Sequence, residues 1–104
     1  MPLVPTRALY LRYALLLVLD GQRGQPCTVG DLVAGLARLG LEPGGVARPG
    51  KVVSDAMRWE VARGRAARWG RDRYVIGHLP KVTRHRARSV VRCLQRGEVP
   101  PLCP

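Results

Sequence analysis

The fold is decided by residues 51–76, which read KVVSDAMRWEVARGRAARWGRDRYVI. In the first half, apolar residues recur at the spacing of a core-facing helix. This spacing predicts a helix over about residues 50–62, with Pro49 in its first turn and Gly64 as its end. From Arg65 onward the period changes to the alternation of a β-hairpin. The central prediction is therefore a helix followed directly by a hairpin.

The two faces of this helix differ in polarity. The face expected in the core carries Val52 or Val53, Ala56, Met57 and Val61. The opposite face carries Lys51, Ser54, Asp55 and Arg58. Trp59 falls at the boundary between them.

Two registers fit the hairpin, residues 65–76. A two-residue turn at Arg71 and Asp72 puts Arg68 and Arg73 on one face, and the pairs on the other face are then Trp69 with Tyr74 and Ala67 with Ile76. A loop of three or more residues that uses Gly70 fits equally well and shifts this pairing. The sequence leaves both registers open.

The segment before residue 26 predicts one helix. It runs over about residues 7–19, with Thr6 as N-cap and a stop at Asp20 and Gly21. From Tyr13 onward nearly every position is apolar, so we expect cover on more than one side. That cover comes from the core and from either the C-terminal helix or a second subunit.

A second helix is predicted after a very short strand at residues 26–28. Thr28 and Asp31 have the spacing of a capping box, and the helical spacing of apolar residues continues to a stop at Gly40. Residues 41–50 are rich in Pro and Gly and predict a loop.

A last helix is predicted from a Thr83 cap to about Arg96, with Gly97 as its end. Its apolar positions are Val82, Ala87, Val90, Val91 and Leu94, and its basic face carries Arg84, Arg88, Arg92 and Arg96. The helix either packs on the first helix and makes a homodimer or extends a nucleic-acid footprint; we favour the dimer. Pro100, Pro101 and Pro104 predict an unstructured or loosely packed tail.

The fold class is mainly α with a small β-hairpin, an α+β fold. We expect one domain over residues 1–80, the C-terminal helix at 81–97 packed on it or at a dimer interface, and a Pro-rich tail at 98–104.

Charge predicts a polyanionic partner. Lys and Arg total 18 against 7 acidic residues, for a net charge of +11 and a pI near 11.2. A GC-rich genome would scatter Arg evenly, but here the arginines form two clusters. These are Arg58, Arg63, Arg65, Arg68, Arg71 and Arg73, and then Arg84, Arg86, Arg88, Arg92 and Arg96.

The helix 53–64 followed by 71–76 resembles the winged helix-turn-helix family of DNA-binding proteins, over residues 6–77. The resemblance implies that helix 51–63 reads the major groove of double-stranded DNA and that the basic wing, residues 65–76, grips the backbone or minor groove. The DNA-binding residues implied are Lys51, Ser54, Asp55, Arg58, Arg68, Arg71 and Arg73. Arg58 would donate to a guanine, with Asp55 accepting from a cytosine amino group or orienting Arg58, and Lys51 would contact a phosphate. A bacterial transcriptional regulator is the function expected.

Two other functions are compatible with the charge. An RNA-associated or ribosome-associated basic protein would need exposed aromatic residues, whereas we expect Trp59, Trp69 and Tyr74 in the core. A winged-helix protein-interaction module would bind an acidic partner through the apolar first and last helices.

Several other classes are not indicated. The sequence has no GxSxG, P-loop or paired carboxylates at useful spacing, so we expect no enzyme, no cofactor and no small-molecule substrate. Cys27, Cys93 and Cys103 form neither a disulfide framework nor a zinc pattern, and no metal site is expected. The apolar run at residues 13–19 is too short to span a membrane, and no signal peptide is predicted. We expect a cytoplasmic, nucleoid-associated protein.

Overall fold

The computed structural model describes residues 2–100 and shows an α+β fold. Its helices are α1 (Ala8–Gly21), α2 (Val29–Arg38), α3 (Pro49–Ala62) and α4 (Lys81–Gln95). Its strands are β1 (Val4–Thr6), β2 (Cys27–Thr28), β3 (Leu41–Pro43), β4 (Ala66–Arg68) and β5 (Arg73–Ile76).

Helix α1 forms the centre of the core. Its apolar run fills the space between α4, α2 and α3, and Leu11, Leu15, Leu16 and Leu19 are completely or almost completely buried. The predicted cover on more than one side is confirmed. It comes from α4 of the same chain, which buries Ala87, Val90, Val91 and Leu94.

An ion pair fixes the α1–α4 contact at one end. Arg84 donates from Nε to Asp20 Oδ2 at 2.9 Å and from Nη2 to Asp20 Oδ1 at 3.1 Å. Such bidentate geometry holds both side chains in one orientation. Arg84, which the sequence placed on a free basic face, therefore joins two helices.

Helix α2 begins where the sequence predicts. The Asp31 amide donates to Thr28 Oγ1 at 3.0 Å and the Thr28 amide donates to Asp31 Oδ2 at 3.0 Å, which confirms the capping box. The predicted stop at Gly40 is also confirmed, because Gly40 has a φ of +81° that favours glycine. The predicted short strand before α2 forms as β2.

The main sheet has the strand order β2-β5-β4 and is antiparallel throughout. In the hairpin, the cross-strand pairs are Ala66 with Ile76, Ala67 with Val75 and Arg68 with Tyr74. The register with a two-residue turn is wrong, and the three-residue loop that begins with Gly70 (φ +71°) forms instead. Because side chains alternate along a strand, Arg68 and Arg73 lie on opposite faces, not on the shared face that the first register predicted.

A second, parallel sheet of β1 and β3 was not predicted. Val4 pairs with Leu41 and Thr6 with Pro43, so residues 41–50 are not loop throughout. Thr6 is buried in β1 and its hydroxyl donates to the Val4 carbonyl at 3.0 Å, so the prediction that it caps α1 is wrong. Three-residue strands are too short to show an alternating pattern in the sequence.

The start of α4 also differs from the prediction. The helix begins at Lys81 after Pro80, whose fixed φ suits a helix start, and Thr83 is not its cap. Val82 is 69% exposed and does not belong to the apolar stripe. Gly97, with a φ of +73°, ends the helix as predicted.

Part of the predicted tail packs on the body of the protein. Pro100 is buried, and its carbonyl accepts a hydrogen bond of 3.0 Å from the Tyr10 hydroxyl. Residues 101–104 lie outside the described residues.

Gly77 lies where the end of α3 meets the end of the hairpin. Its amide donates to the Arg65 carbonyl at 2.9 Å, and the His78 amide donates to the Gly64 carbonyl at 3.0 Å. A Cβ added at Gly77 would stand 2.5 Å from the Gly64 carbonyl oxygen. No side chain fits there without backbone movement.

We predict that Gly77→Ala lowers the free energy of unfolding by about 1–3 kcal/mol, because the added methyl group overpacks backbone atoms. Gly21→Ala is the matched control, since nothing lies within 4 Å of the added Cβ. It should be neutral or stabilising in its helix. Urea unfolding measures both, and an equal effect of the two changes would contradict the close approach.

The capping box gives a second prediction, on pH. Hydrogen bonds from the backbone and hydroxyl of Thr28 hold the pKa of Asp31 below its usual value. A carboxyl group whose pKa is lowered by folding stabilises the fold at pH values above its unfolded-state pKa. This contribution is lost as the pH falls through the folded-state pKa. Wild type should therefore exceed Asp31→Ala in stability at neutral pH, and the difference should shrink in acid. A difference that stays constant down to about pH 2.5 in urea unfolding would contradict this.

Candidate nucleic-acid interface

Helix α3 and the β4–β5 hairpin enclose an open crevice of about 330 Å³. The α3 side contributes Ser54, Arg58 and Val61, and the hairpin side contributes Arg68, Arg71, Asp72 and Tyr74, with Val29 of α2 beside them. Three exposed arginines from two elements therefore face one concavity.

Local structure explains which residues meet there. Ser54, Arg58 and Val61 are spaced by four and three residues, so they share one stripe of α3. On the hairpin, Arg68 and Tyr74 are directly paired and so point to the same face. Tyr74 is buried as the wall of the crevice, while the Arg68 side chain remains exposed.

The other predicted DNA-binding residues lie elsewhere. Lys51 donates to Asp55 Oδ2 at 3.2 Å, and Asp55 lines a separate concavity between α3 and α1 with Arg12 and Trp59. Asp55 is therefore paired with Lys51. Arg73 pairs across the sheet with Thr28, on the face of the hairpin away from the crevice.

Sequence reasoning missed the most buried charge in this region, Glu60. Its carboxylate has no exposure and accepts from Arg65 Nε at 2.6 Å and Arg65 Nη2 at 3.0 Å, with Arg12 Nε 3.9 Å away. The Arg65 amide also donates to the Glu60 carbonyl at 3.0 Å. This cluster attaches Arg65, the third residue after α3, to the last turn of that helix and so sets where the hairpin begins.

The burial of Glu60 changes which residues form the buried face of α3. Val53, Ala56 and Met57 are buried as predicted, but Val61 is only partly buried. Trp59, the residue before Glu60, lies on the outer side of the helix and is 58% exposed. Arg65 is five residues after Glu60 and beyond the end of α3, and Arg12 is on another helix, so neither pairing leaves a periodic signal in the sequence.

The prediction that all three aromatic residues of this region lie in the core is wrong for two of them. Tyr74 is buried, but Trp69 is 59% exposed at the end of β4, much like Trp59. The guanidinium carbons of Arg12 and Arg63 stand 5.2 Å and 5.8 Å from the centroid of the Trp59 ring. Trp59 is therefore a surface aromatic residue with two cations close to its ring.

No protein-family model matches the chain, and no curated protein or solved structure matches it either.

Among residues 2–100, no three His, Cys, Asp or Glu side chains converge as metal ligands. The same part of the chain holds no helix that is long and apolar enough to cross a membrane. Burial, followed by the nearby Asp31, raises the pKa of the Cys27 thiol, which therefore stays protonated.

The buried ion pair gives a prediction of stability. Arg65→Met leaves the Glu60 carboxylate buried without its main partner and should cost about 3–5 kcal/mol. Adding Glu60→Leu removes the unpaired charge, so the double variant should recover most of that loss. Arg96→Met, which breaks the exposed Arg96–Glu98 pair at 3.8 Å, should cost less than about 1 kcal/mol. Urea unfolding of wild type and the three variants tests this. A double variant no more stable than Arg65→Met would contradict the coupling.

Proposed function

We propose that the chain is a DNA-binding protein of the winged helix-turn-helix type that acts as a transcriptional regulator. The observation that supports it is the crevice in which Ser54 and Arg58 of α3 face Arg68 and Arg71 of the hairpin. The element order from α1 through β2, α2, α3, β4 and β5, with the sheet order β2-β5-β4, agrees with the resemblance in the sequence.

In this proposal α3 reads bases and the hairpin holds the backbone. Arg58 is exposed on α3 and its fork of donors suits the O6 and N7 atoms of a guanine. Ser54 is one turn away and contacts a neighbouring base or phosphate. Arg68 and Arg71 are exposed cations and suit phosphates or the narrow minor groove.

The charge balance at the crevice supports a polyanionic ligand. Asp72 is the acidic residue among its lining residues, against the guanidinium groups of Arg58, Arg68 and Arg71. Cations from two elements that converge on one concavity repel one another, and phosphates offset that repulsion.

An RNA-binding function is the second candidate, and one observation favours it. Trp59 and Trp69 are both more than half exposed, and exposed aromatic residues stack on unpaired bases. The protein-interaction module loses its basis, since the apolar faces of α1 and α4 are buried against each other.

A homodimer remains part of the proposal, with a changed surface. The apolar stripe of α4 that suggested it is buried within the chain, so a second copy would have to contact other residues. Light scattering at micromolar concentration would show whether the dimer forms.

We expect the protein to bind random duplex DNA with an affinity that falls steeply with salt. The slope of log K against log salt concentration should be about −0.9 for each phosphate that the protein neutralises. Fluorescence anisotropy across a salt series measures this slope. Absence of binding at low salt would contradict DNA binding, and tighter binding to single-stranded RNA would favour the second candidate.

The two arginine roles can be separated after a preferred site is selected from a random pool. Arg58→Ala should lose about 1–3 kcal/mol on the selected site and little on random DNA. Arg71→Ala should weaken binding to both and lower the salt slope by about 1. Arg88→Ala, which removes the same charge from α4, is the control and should leave the preference intact. Equal losses on both DNAs for Arg58→Ala and Arg71→Ala would contradict this division.

A further inference from the structure

The two exposed tryptophans differ in their surroundings. In residues 2–100, both guanidinium contacts over an aromatic ring are made to Trp59, by Arg12 and Arg63. The Trp59 indole thus already has two cationic neighbours. The Trp69 indole is exposed to the same degree, and among residues 2–100 no such contact is made to it.

Trp69 stands at the tip of the hairpin. Its amide donates to the Arg73 carbonyl at 2.8 Å, which closes the loop at residues 70–72. This pairing puts the Trp69 and Arg73 side chains on the same face, opposite to the face of Arg68 and Tyr74. Two residues back on that face is Ala67, which is exposed and too small to cover the ring.

The tip therefore combines an open indole with the exposed cations Arg71 and Arg73. A nucleotide supplies both complements, since its base offers a flat π-face and its phosphate a negative charge. A base inside a duplex is already stacked and must be unpaired before it can reach the indole, whereas an unpaired base reaches it without that cost. The tip thus fits a strand that has left the duplex.

We propose that Trp69, with Arg71 and Arg73, forms a site for an unpaired DNA base next to the duplex bound in the crevice. The protein then prefers a junction of double and single strand over a continuous duplex. This inference rests on the DNA binding proposed above, and it names the form of DNA that the protein selects.

The first test compares two DNAs with the same number of phosphates. One is a blunt duplex, and the other is a shorter duplex that ends in a single strand of about four nucleotides. Wild type should bind the junction about 5- to 150-fold more tightly than the blunt duplex, the range expected for stacking of one base. Trp69→Ala should bind both alike, with the blunt-duplex affinity of wild type. Trp59→Ala, an equally exposed tryptophan outside the hairpin, should keep the preference.

The second test reports on stacking itself. Because the chain has two Trp residues, Trp59→Phe leaves Trp69 as the sole indole fluorophore. The junction should quench its emission, and a junction with abasic sugars in the single strand should not, although its phosphates are unchanged.

The outcomes separate the two proposals. Steep, salt-dependent duplex binding with no preference for the junction and no base-dependent quenching would overturn the role of Trp69 and leave DNA binding standing. Tighter binding to single-stranded RNA than to the junction would overturn the choice of DNA. No binding to any duplex would overturn both proposals.

Discussion

A carboxylate without access to water must have donors around it, and Glu60 finds them in Arg65 and, further away, in Arg12. The requirement is strong because an unpaired buried charge costs several kcal/mol. Arg65 is the first residue after the turn that ends α3, so satisfying Glu60 fixes the direction in which the chain enters the hairpin. The width of the crevice between α3 and β4–β5 depends on that direction.

The same ion pair organises the outer surface. With Glu60 turned inward, its neighbour Trp59 is turned outward, where Arg12 and Arg63 flank it. Arg12 thus contacts both the buried carboxylate and the exposed ring, and it links α1 to α3. The remaining arginines of the cluster are left to solvent, and a bound polyanion would stabilise the fold by relieving their mutual repulsion.

Local signals in the sequence were enough for most of the helices. Thr28, Asp31 and Gly40 define α2 because caps and stops act within a few residues, and Gly64 and Gly97 end α3 and α4 for the same reason. The apolar spacing also identified Val53, Ala56 and Met57 as core residues. The clustering of arginines located the candidate interface.

What the sequence could not supply depends on contacts between distant residues. The pairing of β1 with β3 joins strands of three residues that lie on either side of two helices, and neither strand has a pattern of its own. The hairpin register was ambiguous because one residue of loop length moves every side chain to the other face. The exposure of Trp69 followed from that register, which puts it opposite the face of Tyr74. The outward position of Trp59 accompanies the burial of Glu60, which contradicts the usual preference of a carboxylate for water.

The packing of α4 on α1 has a consequence for synthesis in the cell. Asp20 and Arg84 are 64 positions apart, so the helix at the centre of the core emerges from the ribosome long before the helix that covers it. At ordinary synthesis rates of about 5–20 residues per second, the leucines of α1 remain without part of their cover for several seconds. During that interval the nascent chain exposes an apolar helix surface, and binding by a chaperone or temporary packing on α2 and α3 would protect it from aggregation.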